Sequence, residues 1–182
     1  MRIISGKYKG KYFNKIKNLD ARPTTDKAKE ALFNILTNRI YFEDVSVLDL
    51  FSGTGSISYE FASRGCTDIT CVDINYNHIR FIKKTSNELN LDLNVIKADV
   101  FKFIKNTNRK FDVIFADPPF DLENFNDVPA EILKSDILKP GGMLIVEHSN
   151  KFKFTGLESD EERKYGKVCF SFFENTEKEE QE

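Results

Sequence analysis

Residues 115–120 read FADPPF, so an apolar run ends in a carboxylate, two prolines and an aromatic ring. Neither Pro118 nor Pro119 has an N–H to give a ladder, and a strand over 111–117 must stop there on a rigid backbone. What such an end can do depends on the groups that share its edge of the sheet. Three other predicted strands finish in the same way. VSVLDLF (45–51) carries Asp49 just before the loop SGTGS, DITCVDI (68–74) ends around Asp73, and LNVIKAD (93–99) ends in Asp99. Aspartate is common in turns, but four strands that each set a carboxylate at one edge go beyond turn chemistry. In an open α/β sheet, ligands bind beyond the carboxyl ends of the strands, near the point where strand order reverses.

The glycine loop narrows the ligand. A dinucleotide fingerprint, G-x-G-x-x-G, needs a third glycine, and that position holds Ser58. Gly53 and Gly55 still let a ligand approach the backbone closely. Asp73 lies eighteen residues past Gly55, at a strand end where an acid can accept the protons of two ribose hydroxyls. A ribose-bearing ligand without a pyrophosphate fits this pattern better than NAD.

The elements that position these groups follow from periodicity. Arg2 to Phe13 alternates around Gly6 and Gly10 and predicts a short hairpin. Lys7, Lys9 and Lys11 would then share one strand face, with Tyr8 and Tyr12 opposite. Arg22-Pro23-Thr24-Thr25-Asp26 supplies a turn and cap, and Ala28, Ala31, Leu32, Ile35 and Leu36 share the face of a following helix. Strands then alternate with helices: helical spacing follows the glycine loop and recurs at Ile79, Ile82, Ser86 and Leu89, and a short helix covers VFKFIKN. A helix over 129–138, a turn at Lys139–Gly142 and a strand MLIVEHS (143–149) follow, and ERKYGKVCFSFFE reads as a closing antiparallel hairpin around Gly166. Repeated β–α units with apolar strands imply a parallel sheet covered on both faces, here with an antiparallel edge. Residues 1–40 are expected to be an N-terminal extension of one domain spanning 41–175, with 176–182 a disordered acidic tail.

Composition sets the outer bounds. The chain has 182 residues, 40% hydrophobic and 31% charged, enough for one domain with a real core. No apolar run approaches the ~18 residues of a membrane helix, and the N-terminus lacks the continuous apolar region of a signal peptide. Cys66, Cys71 and Cys169 are odd in number without C-x-x-C spacing, which suits reduced thiols in a cytoplasmic protein. Only His78 and His148 are available beside them, without ligand-like spacing, so no metal site is expected. The first 29 residues hold nine Lys and Arg against two Asp, in a chain of net charge −2. Such an asymmetry points to a polyanion bound by the N-terminal segment.

The glycine loop with its strand-end acids resembles the class I S-adenosylmethionine-dependent methyltransferases. That resemblance implies S-adenosyl-L-methionine as cofactor, with Phe51, Gly53 and Gly55 lining it. It also implies Asp73 at the ribose hydroxyls, Asp99 at the adenine amine and Asp49 at the methionine end, with Ile74, Val100 and Asp117 also binding the cofactor. D-P-P-F is similar to the [D/N/S]-P-P-[F/Y/W] motif of enzymes that methylate exocyclic amines of bases. The amine's lone pair is delocalised into its ring, so it is a poor nucleophile. The Asp117 carboxylate and Pro118 carbonyl can accept its hydrogens and pull the nitrogen towards a pyramidal geometry. Phe120 can stack on the base, worth ~1–3 kcal/mol, and the prolines fix the arrangement in advance.

Nearly the whole chain resembles one family, the RsmD-type 16S rRNA guanine-N2 methyltransferases. The likeness runs through RIISGKYKGK, RPTTDKAKEALFNIL, VLDLFSGTGSISYEFASRG, FADPPF and KYGKVCFSFFE. It implies a Rossmann-like, mostly parallel seven-stranded sheet, guanine N2 as acceptor, small-subunit rRNA as substrate and action as a monomer. Lys7, Lys9, Lys11, Arg22 and Thr24 become the expected RNA contacts, the lysines on phosphates. The alternatives are an adenine-N6 DNA or RNA methyltransferase, which shares D-P-P-[F/Y] but usually carries an added target-recognition region, and a non-catalytic RNA-binding module, which would not require both Asp117 and Phe120.

Overall fold

The computed structural model describes residues 1–13 and 24–176. Five strands lie parallel: β1 (Ser46–Leu50), β2 (Asp68–Asp73), β3 (Leu93–Lys97), β4 (Phe111–Ala116) and β5 (Leu138–Ser149). They form one sheet with the hairpin β6 (Glu161–Tyr165) and β7 (Val168–Glu174), in the order β3-β2-β1-β4-β5-β7-β6, and β7 runs antiparallel to both neighbours. Strand order reverses between β1 and β4, so the crevice expected of such a sheet opens there.

Period-two alternation divides the core between the faces. Val47, Ile69, Cys71, Val113, Phe115, Ile145 and Phe170 pack against α1 (Asp26–Thr37), α2 (Ser56–Ser63) and α3 (Tyr76–Leu89), through Leu32, Phe33, Ile57, Phe61 and Ile82. Their neighbours Leu48, Leu50, Val72, Ile114, Leu144 and Val146 pack against α4 (Val100–Asn106) and α5 (Val128–Lys134). With helices on both sides, β1 is buried at every residue.

Three expected details change. The helix expected over 129–138 ends at Lys134, and Leu138 already pairs with Phe111. The expected turn at Lys139–Gly142 is a bulge inside β5, with the register shifting between Phe111 and Val113. The expected N-terminal hairpin is present but tight: Arg2 bridges Tyr12 antiparallel, and the N–H groups of Ile3, Gly10 and Phe13 donate to the carbonyls of Lys11, Ile3 and Met1. Between its paired ends the chain turns instead of extending, so Lys7, Lys9 and Lys11 are exposed but do not form a strand row. The Lys7 and Lys11 Nζ atoms instead lie 5.3 and 6.0 Å from the centre of the Tyr8 ring.

What holds this arm is α2. The N–H of Lys7 donates to the Ser63 carbonyl at 2.7 Å, that of Tyr8 to Ser63 Oγ at 3.0 Å, and Ser63 Oγ donates to the Ser5 carbonyl at 2.6 Å. Gly6 has φ +83°, and a Cβ there would lie 1.9 Å from the Ser63 carbonyl oxygen. Only glycine allows this approach.

Candidate active site

The strand-end residues line one cavity of about 570 Å³ over the β1–β4 reversal. Asp49, Phe51, Gly53, Asp73, Ile74, Asp99, Val100, Asp117, Pro118 and Phe120 all contribute to its wall. Gly55 stands just behind it as the left-handed N-cap of α2, where a Cβ would come within 2.9 Å of the Tyr59 ring. The loop turns sharply, and even Phe51 takes a positive φ, 56°. For a bulky residue that conformation is uncommon and strained.

Asp73 is the last residue of β2 and only 7% exposed. Its Oδ2 accepts the Gly53 N–H at 2.8 Å and its Oδ1 the Asn75 N–H at 2.7 Å, which ties the glycine loop to the second strand. Asp99 caps α4, and its Oδ1 accepts the Lys102 N–H at 2.9 Å. A carboxylate has about four acceptor directions, so both acids retain capacity towards the cavity. Beside them Ile74 is 64% exposed and Val100 is buried, which gives the wall an apolar part.

Asp49 is buried, and Ser58 Oγ donates to its Oδ2 at 2.5 Å. Burial pushes its pKa up to about 7; the Ser58 bonds oppose the rise and the charge on Asp73 adds to it. An unfolded aspartate ionises near ~3.9, so between these values the native state binds the extra proton and stability falls as pH rises. Asp49→Asn removes this penalty. The variant's unfolding free energy relative to wild type is expected to grow by roughly 1–4 kcal/mol from about pH 4 to about pH 7. Urea titrations across that range measure it, and parallel profiles would contradict the assigned cause.

On the far side of β1, the Asp117 N–H reaches the Leu50 carbonyl at 3.4 Å, the final backbone link before the prolines. Pro118 is buried, whereas Phe120 stands 48% exposed at the cavity mouth, its ring centre 6.3 Å from that of Phe125.

Several wall residues were not expected from the sequence. Glu147 on β5 is buried, and its Oε2 accepts the Thr24 hydroxyl at 2.6 Å. Thr24, expected as an RNA contact, stands in the cavity wall, bonded to a strand. A partial signal for Glu147 exists, since MLIVEHS also carries an acid near its end. Ser56, the last residue of the SGTGS loop, lines the cavity as well, as does His78, which no motif marks. Arg22 lies outside the described residues.

The arrangement can hold a small polar ligand with an apolar flat part between Asp73 and Asp99, and present a second planar group between Asp117 and Phe120. Its volume lies in the ~300–1,000 Å³ range of small-molecule sites.

Comparisons with known proteins agree with this geometry. The ribosomal RNA small subunit methyltransferase D of Buchnera aphidicola subsp. Baizongia pistaciae is 34% identical over 151 residues, covering 82% of this chain and 76% of that protein. A hypothetical protein of Thermus thermophilus superposes with a TM-score of 0.84 at 28% identity, over 96% of this chain and 99% of the other. The Thermus thermophilus 16S rRNA N2 G1207 methyltransferase, solved with AdoMet and guanosine, shares the fold with a TM-score of 0.67 at 22% identity, over 85% of this chain and 44% of that one. The family described as "Conserved hypothetical protein 95" matches residues 1–174. The chain belongs to that family, together with the methyltransferase D proteins.

Proposed function

We propose that this protein transfers a methyl group from S-adenosylmethionine to the exocyclic N2 amine of a guanine in 16S rRNA, acting as a cytoplasmic monomer. The observation that carries the reading is the shared cavity in which Asp73 and Asp99 lie across the β1–β4 reversal from Asp117-Pro118-Pro119-Phe120. The residues fit the cofactor. Ser56 Oγ and both ring nitrogens of His78 are buried polar atoms in the wall without a hydrogen-bond partner among the described residues. Buried polar groups of this kind call for a partner. The 34% identity to a small-subunit rRNA methyltransferase supports the substrate class, and guanosine bound to the fold neighbour supports the base.

When bound, the cofactor supplies an electrophilic methyl on a sulfonium whose departure leaves a neutral thioether. The protein's part is position and polarisation. Asp73 accepts the ribose hydroxyls, Asp99 accepts the adenine amine, and Ile74 and Val100 flank the ring. Asp49 meets the positive methionine amine, which favours its ionised form. Asp117 and the Pro118 carbonyl take the hydrogens of the guanine amine and turn its lone pair outward, while Phe120 stacks on the base. The N2–methyl bond would form as the S–methyl bond breaks, and the methylated nitrogen, cationic and strongly acidic, would give its proton to the Asp117 carboxylate, so no stronger base is required.

Two results are expected. Asp73→Ala removes a charged acceptor of two hydroxyls and is expected to weaken S-adenosylmethionine binding at least about tenfold. Calorimetric titration of the folded variant measures this, and unchanged affinity would exclude the ribose role. Replacing Lys7, Lys9 and Lys11 together with Gln is expected to weaken rRNA binding and leave cofactor affinity unchanged. The slope of log K against log salt should fall by about 1 for each lysine that meets a phosphate. An unaltered slope would remove the arm from the RNA-binding surface.

A further inference from the structure

We infer that His78 is a second ribose-reading residue, whose ring N–H donates to a ribose hydroxyl that gives its own proton to Asp73. The inference rests on the adenosyl cofactor proposed above. His78 is the third residue of α3, its side chain is 13% exposed, and it lines the cavity with Asp73. Its Nδ1 lies 3.1 Å from Asp73 Oδ2, but the approach is not aligned for a hydrogen bond, and Nε2 has no partner among the described residues either.

The acceptor count on Asp73 gives this near miss a meaning. Two of its roughly four acceptor directions are used by Gly53 and Asn75. The remaining two match the two protons of a vicinal diol. If His78 donated to Oδ2 as well, that oxygen would be saturated and one hydroxyl would lose its acceptor. A hydroxyl that has given its proton to Asp73 still offers lone pairs and needs a donor. An imidazole N–H can be that donor, and His78 holds its ring beside Asp73 with no competing partner among the described residues. Acid and imidazole together then satisfy both functions of a hydroxyl, and they discriminate against a sugar lacking it. Rejecting a ligand that leaves buried polar groups unpaired is the more effective form of selectivity.

The test is calorimetric binding of S-adenosylhomocysteine and of its 2′,3′-dideoxyribose analogue to wild type and to His78→Phe, which keeps a ring but no donor. His78→Ala is measured alongside, so that a misfolded Phe variant does not leave the question open, and thermal unfolding of each unliganded protein reports the fold. S-Adenosylhomocysteine is expected to bind the variants roughly three- to tenfold more weakly, the scale of one hydrogen bond. The dideoxy analogue is expected to bind wild type and variants within about twofold of one another. An equal loss for both ligands, or no loss for S-adenosylhomocysteine, would overturn the assignment. Wild type that fails to bind S-adenosylhomocysteine would defeat the cofactor reading itself, whereas weakened binding by Asp73→Ala beside unaffected His78 variants would defeat this inference alone.

Discussion

Asp117→Ala is expected to slow single-turnover methyl transfer to rRNA by about 10²–10³, the loss seen when a preorganised polar group is deleted from a reacting centre. The reason lies in the acceptor rather than in the cofactor. A guanine N2 amine has its lone pair delocalised into the ring, and accepting its hydrogens is what redirects the electrons. Asp117 stands where β4 has just ended, beside two prolines that fix its backbone, so little reorganisation remains when the amine arrives. Its side chain borders the cavity and is not part of either hydrophobic cluster. The fold and the affinity for S-adenosylmethionine are therefore expected to survive the substitution. Rapid-quench transfer of labelled methyl, with cofactor binding measured in parallel, separates the two effects. A rate within a few-fold of wild type would end the amine-polarising role, and a parallel loss of cofactor affinity would move Asp117 to the cofactor side.

The largest expected effect on stability lies at Glu60. This residue of α2 is fully buried, and its Oε1 accepts the Ile4 N–H at 2.8 Å and Lys29 Nζ at 3.1 Å, while Arg64 pairs with Oε2. Lys29 is buried as well and donates to the Arg2 carbonyl at 2.6 Å. Glu60→Ala leaves that buried ammonium only Asp26, 4.0 Å away, as a carboxylate, and strips the Ile4 N–H of its acceptor and Arg64 of its partner. Breaking one side of a buried pair costs ~3–5 kcal/mol, whereas replacing both members with apolar groups of similar volume is far milder. Glu60→Leu with Lys29→Met is therefore expected to recover the part of the loss due to the stranded ammonium, while the Ile4 N–H and Arg64 still lack their acceptor and the Arg2 carbonyl its donor. Chemical denaturation of the single and double variants measures this. A loss below about 1 kcal/mol in Glu60→Ala would show that the pair does not bear on stability. Because Glu60 and Ser63 hold the basic arm on the helix that follows the glycine loop, the same residues join the expected RNA-binding surface to the cofactor site.

The centre of the sheet was legible in the sequence because β1, β2 and β4 are apolar on both faces and each is followed by a helix, which is how a covered parallel sheet must read. The acids at 49, 73, 99 and 117 were legible for a related reason, since a charge at the end of an apolar run stands out. Within the N-terminal hairpin only the lysine row misled, because alternation of Lys with Tyr and Gly imitates a strand. Its true conformation depends on Ser63, more than fifty residues away, and on a glycine close to that carbonyl. The Thr24–Glu147 bond spans 123 residues and leaves no periodic trace. Glu147 itself was hidden in a run that reads as core. His78 falls in a helical segment whose pattern reports only its apolar face, through Ile79 and Ile82, so nothing marked the ring beside Asp73. Backbone periodicity records burial, while long-range side-chain partners must be seen.

The cavity is proposed to place a guanine amine against the methyl of S-adenosylmethionine. Incubating the protein and labelled cofactor with unmethylated small-subunit rRNA, then digesting to nucleosides and identifying the labelled one by mass spectrometry, tests it most directly. The label is predicted to appear in N2-methylguanosine, and to be lost with Asp117→Ala. Label in N6-methyladenosine, or in no nucleoside while the cofactor binds, would contradict the account.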